Sequence, residues 1–432
     1  MLRTRARTRR LPLRTLAAAV LAVALVATTV VLLLGPQPPL PLGRAHEQQP
    51  QQHPQTTPRG SEWKPEFPAS GSTTVALFGR VNSAQLFGVF GHVALGSPPQ
   101  LFQMLFETSE DVVWIPNTRA SPASPHAVYD HSKSRSYEAD GTRVMDASMF
   151  YAYLGFVSRD TLRVGGLALA NASFAEVTHV QDPPNFDDVT VDGVFGLSPD
   201  LERNAVLRRL AQSDALAAPL FAFYFNKQAR PANRSVTAAR LTAATSVGEL
   251  SIGAINRSRF KGEIQYLPTL DNKRWRVELD DITVSNDTTS GNFATTEMVA
   301  PVTRDGRAVV QAEVLPSWPL ILGPAEDVKR LAKAVGVTGG GKIDCSSHGP
   351  DIVIHLGGIP YMLTKDDYTL HDDADDDDDV DGGPNCRWAF AGLDLGVWWL
   401  GQPFLHKFYS VFEFGKGEDG SSAPRVGFAL AA

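Results

Sequence analysis

From about Thr74 onward the chain is cut into short apolar or alternating runs by Gly, Pro, Asn and Asp, a punctuation that admits strands and tight turns and little else. Thr74 to Phe78, Phe87 to Leu95, Leu101 to Phe106, Val112 to Ile115, Leu250 to Ile252 and Ile264 to Leu267 are all of strand length and rich in β-branched or aromatic residues. The pattern predicts an all-β body with many hairpins. Helical periodicity is confined to Leu201–Leu216 and to Ala325–Val335, which opens just behind Gly323-Pro324. Two segments, 101–116 and 309–324, share one plan: an apolar strand, a turn, and a second apolar run.

A chain of 432 residues with 43% apolar content can bury one large bilobal core or two medium ones. The formal charge is −7, yet the first thirty-four residues carry six Arg and no acid, so the remainder is near −13 (−7 minus 6). That balance argues against nucleic acid as a partner, because phosphate binding needs clustered Lys and Arg.

The N-terminus carries a different signal. A basic tail (1–14, with Arg3, Arg5, Arg7, Arg9, Arg10 and Arg14) precedes an uncharged run (15–34) of twenty residues. As a helix such a run spans about 30 Å, the thickness of a bilayer's hydrocarbon core. The length predicts an uncleaved transmembrane signal-anchor with its Arg cluster on the cytoplasmic side. The alternative is a long cleaved signal and a secreted protein. Residues 35–73 are rich in Pro and Gln, cannot build a core, and read as a stalk. Either way the body faces the secretory lumen or the outside. Sequons at Asn171, Asn233, Asn256 and Asn286 fit that side of the membrane. The only two cysteines, Cys345 and Cys386, read there as one disulfide. They are too few for a metal site. The acidic run Asp372 to Asp379 lacks the Gly and terminal Glu of a calcium loop, so no metal is expected.

Several motifs then fall in a familiar order. Phe90 to Leu95 leads into Gly96-Ser97-Pro98-Pro99-Gln100; Phe106-Glu107-Thr108-Ser109 runs on to Val113-Trp114-Ile115-Pro116. Asp192-Gly193-Val194-Phe195-Gly196-Leu197, Ala312 to Pro324, Trp399-Leu400-Gly401-Gln402-Pro403-Phe404-Leu405 and Tyr409-Ser410-Val411-Phe412 follow. The ordered set resembles the pepsin-like aspartic proteases and covers roughly residues 74–432. The resemblance implies a bilobal double β-barrel with a cleft between an N-terminal lobe (74–245) and a C-terminal lobe (246–432). It also implies a Cys345–Cys386 bridge in the second lobe, no cofactor, and an extended peptide or protein as ligand.

The chemistry that the resemblance implies is damaged. Such enzymes hydrolyse peptides with two carboxylates around one water, one ionised and one protonated. The family pattern puts Asp-Thr-Gly at each turn. Here the first Asp position holds Glu107 and the second holds Leu315, which has no charge, proton or hydrogen bond to offer. Thr108 keeps its hydroxyl, but its counterpart Pro316 has neither hydroxyl nor N–H. Ser109 and Ser317 replace the glycines, and the bulky Trp318 follows where it can fill part of the cleft. Tyr151 or Tyr153 is the candidate remnant of the flap tyrosine, on a hairpin that reads as shortened; both also read as core aromatics. Glu313 could substitute for the missing acid only after a shift in register. The expectation is a membrane-anchored pseudoprotease; the alternative is an aspartic endopeptidase with a rewired site.

Overall fold

The computed structural model describes residues 71–82, 85–120, 126–147, 152–181, 191–213, 215–226, 246–285, 302–304, 307–345, 348–371, 386–393, 396–415 and 423–432. The basic tail, the apolar run 15–34, the Pro/Gln-rich segment up to residue 70, Tyr151, Asn233, Asn286 and the acidic run lie outside them. No described helix is long and apolar enough to cross a membrane.

The strands assemble into two large sheets and one two-stranded ribbon. In the larger sheet, of thirteen strands, Gln85–Leu95 pairs with Gln100–Glu107, which pairs with Gly193–Gly196, then Val113–Pro116, Leu167–Gln181 and Ala152–Val164. A further pairing, Val93 opposite Val164, returns to the first strand and closes these six into a barrel. Closure removes the exposed strand edges of that part of the sheet. On the other side Thr73–Asn82 pairs with Gly248–Ile252, and the sheet continues through Leu220–Phe225 and Phe408–Glu413 to Arg425–Ala431 and Phe260–Pro268. The last strands of the chain are thereby built into the same sheet as the first described one. The second sheet, of eight strands, is formed by residues 276–400.

The two similar segments seen in the sequence occupy matching places. Gln100–Glu107 runs parallel to Gly193–Gly196, and the strand after its turn, Val113–Pro116, comes back antiparallel to that same partner. In the second sheet Arg307–Val314 runs parallel to Trp398–Leu400, and Ile321–Gly323 returns antiparallel to it. Each turn is thus pinned by a central strand between its two arms. Space at these junctions is tight. A Cβ on Gly196 would lie 2.7 Å from the Glu110 carbonyl oxygen, and one on Gly401 would lie 2.1 Å from the Leu320 carbonyl oxygen. Only glycine permits either approach.

One continuous apolar core runs through both sheets. Trp275 is at its centre, fully buried and edge-on to Phe221 and Phe412, while its indole N–H donates to the Leu197 carbonyl at 2.7 Å. The helices are shorter than the periodicity predicts at one site and nearly as predicted at the other. Ala205–Gln212 starts only at Asn204, whose side chain caps Leu207, because Asp200 first gathers the amides of Glu202 and Arg203 into a turn. Ala325–Ala334 follows Pro324, which sits at the cap position rather than inside the first turn.

Cys345 and Cys386 form the disulfide, with Cα atoms 5.6 Å apart and a sequence separation of 41. Closing a loop of that length restricts the unfolded chain. The double variant Cys345→Ala/Cys386→Ala should lose roughly 2–4 kcal/mol of unfolding free energy. Denaturant midpoints of oxidised parent and variant measure this, and equal midpoints would show that the bridge contributes nothing.

Candidate active site

The strand Gln100–Glu107 ends in a fully buried stretch and delivers Glu107 into the first turn at only 4% exposure. Its carboxylate is saturated by hydroxyls and amide. One oxygen, Oε1, accepts from the Ser109 amide at 3.0 Å and the Ser109 hydroxyl at 2.9 Å. The other, Oε2, accepts a short bond from the Ser317 hydroxyl of the second turn. The next residue makes a second cross-tie: the Thr108 hydroxyl donates to the Val314 carbonyl at 2.8 Å. A third comes from the Arg274 guanidinium, which donates to the Ser109 carbonyl.

The second turn has other company. Leu315 is 3% exposed and belongs to an apolar cluster with Leu322, Val397 and Trp399, against which Leu320 and Trp318 pack. The Trp318 ring stands edge-on to Trp399 with centroids 5.3 Å apart. Trp318 is thus held by its own turn's apolar cluster. Pro316 returns no tie of the kind Thr108 makes; its carbonyl instead accepts from Gln402 at 3.3 Å.

Glu313, the other acid beside the second turn, is engaged elsewhere. It lies opposite Arg276 in the strand pairing, 3% exposed, and its carboxylate meets the Arg276 guanidinium at 2.8 Å. Burial pushes the Glu107 carboxyl above the usual carboxylate range. Hydrogen bonds from Ser317 and Ser109 oppose that shift, and the Glu313 charge adds to it. The net direction is upward.

Tyr153 is buried in a satellite core against Trp114, centroids 5.3 Å apart, and its hydroxyl has no hydrogen-bond partner among the described residues. The core reading of Tyr153 is the one its packing supports. Its hairpin, Glu138–Ala147 with Ala152–Val164, pairs from Glu138 opposite Arg159 out to Ala147 opposite Ala152, with a bulge between Ala139 and Arg143. Asp111 and Asp146 both reach Arg203, at 2.7 and 3.6 Å, which links the first turn to the outer arm of this hairpin. His92 is half-buried with its ring near Phe78, and burial lowers its pKa. Among the described residues no group of three or more His, Cys, Asp or Glu is placed to hold a metal ion.

Ser109 and Ser317 are the residues whose role sequence reasoning missed. Both read as lost glycines, whereas together they supply the hydroxyls that hold a buried Glu107. The signal was present: two Gly-to-Ser changes coincide with an Asp-to-Glu change in the same pair of turns.

The family model for eukaryotic aspartyl protease matches residues 89–430. The chain belongs to that family. It is 28% identical over 357 residues to cathepsin E of Aquarana catesbeiana, covering 79% of this chain and 78% of that protein. It is 27% identical over 390 residues to cathepsin D of Dictyostelium discoideum, with 86% and 89% covered. Renin of Canis lupus familiaris is 27% identical over 394 residues, with 86% of each chain covered.

The raised Glu107 pKa fixes the sign of a pH effect. Between the unfolded and folded pKa values the folded state holds the proton more tightly, so stability falls as pH rises through that window. Glu107→Gln removes the titration. The variant should match the parent's melting temperature at the acid end of a pH 3–8 series and exceed it increasingly toward neutral pH. Calorimetry reads this directly, and a variant whose deficit is constant with pH would mean that Glu107 is held ionised throughout.

Proposed function

We propose that this protein is a membrane-anchored pepsin-like pseudoprotease, a binding protein for an extended peptide or protein segment. The observation that carries this is the state of the two turns. Water activation in this family needs a second carboxyl to hold the complementary protonation state. At the second position stands Leu315, turned into an apolar cluster, and both oxygens of Glu107 are already occupied by Ser109 and Ser317. The nearby acid, Glu313, is tied to Arg276. Losing one acid–base partner costs on the order of 10²–10⁴ in rate. The lost water position adds to that.

The binding half of the proposal rests on what persists. Both strand–turn–strand units are built, the cross-ties hold them together, and the hairpin beside the first turn is paired on both sides of a bulge at 140–142. An extended segment binds such a surface through main-chain pairing and apolar contacts. The apolar run 15–34 behind six Arg supports a single-pass type II placement, body on the lumenal or extracellular side, with secretion after cleavage as the alternative.

Purified protein incubated with a mixed peptide library from pH 3 to 7 should yield no cleavage that differs between parent and Glu107→Ala. Cleavage that disappears in Glu107→Ala and is blocked by a statine-type inhibitor would overturn the proposal in favour of an endopeptidase with a rewired site.

A further inference from the structure

The fold separates the sequons that the sequence presents as equivalent. We infer that Asn171 is a built N-glycan attachment site and that Asn256, despite its sequon, is a structural residue that the folded protein keeps bare. This rests on the lumenal placement proposed above.

Asn171 sits in a bulge of the long strand Leu167–Gln181. Asp160 faces Ala172 and Leu162 faces Leu169, so the single residue Thr161 stands opposite both Ala170 and Asn171. The extra residue is accommodated by a positive φ of 52° at Asn171, which is the only non-glycine residue with positive φ among those described. Asn tolerates that region better than most side chains. The bulge turns Asn171 outward: it is exposed, while Ala172 beside it is 1% exposed. Its backbone is fixed from below, since the Arg209 guanidinium donates to its carbonyl at 2.9 Å. Its side-chain amide makes no hydrogen bond among the described residues. A sugar on that nitrogen breaks nothing and points away from the sheet.

Asn256 is the opposite case. Its amide nitrogen donates to the Glu249 carboxylate at 2.7 Å, and Glu249 is 7% exposed and paired with Arg259 at 2.6 Å. Its side-chain oxygen caps the short helix Arg257–Arg259, accepting from the Ser258 amide at 3.1 Å and the Ser258 hydroxyl at 2.7 Å. Its own N–H donates to the Tyr409 hydroxyl at 3.0 Å. A sugar ring on this nitrogen would have to fit beside a buried carboxylate and would disturb the cap. Transfer occurs as the chain enters the lumen, so the fold acts by selecting the glycoforms that can close: a chain modified at Asn256 gives up a cap and a charge-assisted bond.

The test is site occupancy in the full chain expressed in a secretory eukaryotic cell, read by enzymatic deglycosylation in heavy-oxygen water and peptide mass mapping. Asn171 should be occupied in most folded molecules and Asn256 in a clearly smaller fraction of them. Asn171→Gln should remove one glycan's mass and lower the melting temperature only by the small cost of a longer side chain at positive φ. Asn256→Gln should remove no mass and lower the melting temperature. A bare Asn171, or an Asn256 occupied to the same extent, overturns the inference. If Asn171 is bare while Asn233 or Asn286 carries glycan, the lumenal placement stands and only the surface reading falls. If all four sequons are bare, both fall.

Discussion

A carboxylate buried at the meeting of two turns must be either neutral or fully hydrogen-bonded, and Glu107 satisfies that demand with groups from both sides of the seam. Ser109 serves one oxygen from within the first turn, and Ser317 serves the other from the second. The bond from Ser317 spans 210 residues of sequence and that from Thr108 spans 206. These contacts set the spacing between the two turns, and through the turns they set how the two sheets face each other. Removing either hydroxyl would leave part of a buried acid uncompensated, which costs more than the bond itself contributes.

The same constraint accounts for the changes as a group. A longer acid at the first position brings its carboxylate toward the opposite turn, where a hydroxyl can meet it. With a leucine at the second position no second charge competes for that hydroxyl. Burial in this company raises the Glu107 pKa, because nothing cationic bonds directly to it; the guanidinium of Arg274 goes to a backbone carbonyl and that of Arg276 goes to Glu313. The first turn has become a polar latch and the second an apolar plug.

What could be read from the sequence was local or ordered along the chain. Strands such as Gln100–Glu107 and Phe260–Pro268 announced themselves through β-branched and aromatic runs between Gly and Pro, and the order of motifs identified the family. The two equivalent strand–turn–strand units were visible as similar segments. Contacts between distant strands were not. The Val93–Val164 pairing that closes the barrel, and the Arg276–Glu313 pair that removes Glu313 from candidacy, join residues 71 and 37 apart with no signal in either neighbourhood. The serines were misjudged for a different reason. A glycine replaced by serine reads as lost backbone freedom, and only the placement of Glu107 shows that the gained hydroxyl matters more.

The two turns keep their shape for reasons independent of their chemistry. Each is held by a central strand that runs parallel to one arm and antiparallel to the other, and each central segment passes so close to the turn that only glycine fits, at Gly196 and Gly401. None of those constraints involves a carboxylate. A chain of this family can therefore exchange one acid for leucine and lengthen the other without unmaking the turns, provided the acid that remains is hydrogen-bonded and the leucine finds apolar neighbours. Glu107 has Ser109 and Ser317, and Leu315 has Leu322, Val397 and Trp399. The surfaces on either side of the turns then rest on strand pairing and glycine packing, which do not depend on whether a carboxylate stands at either turn.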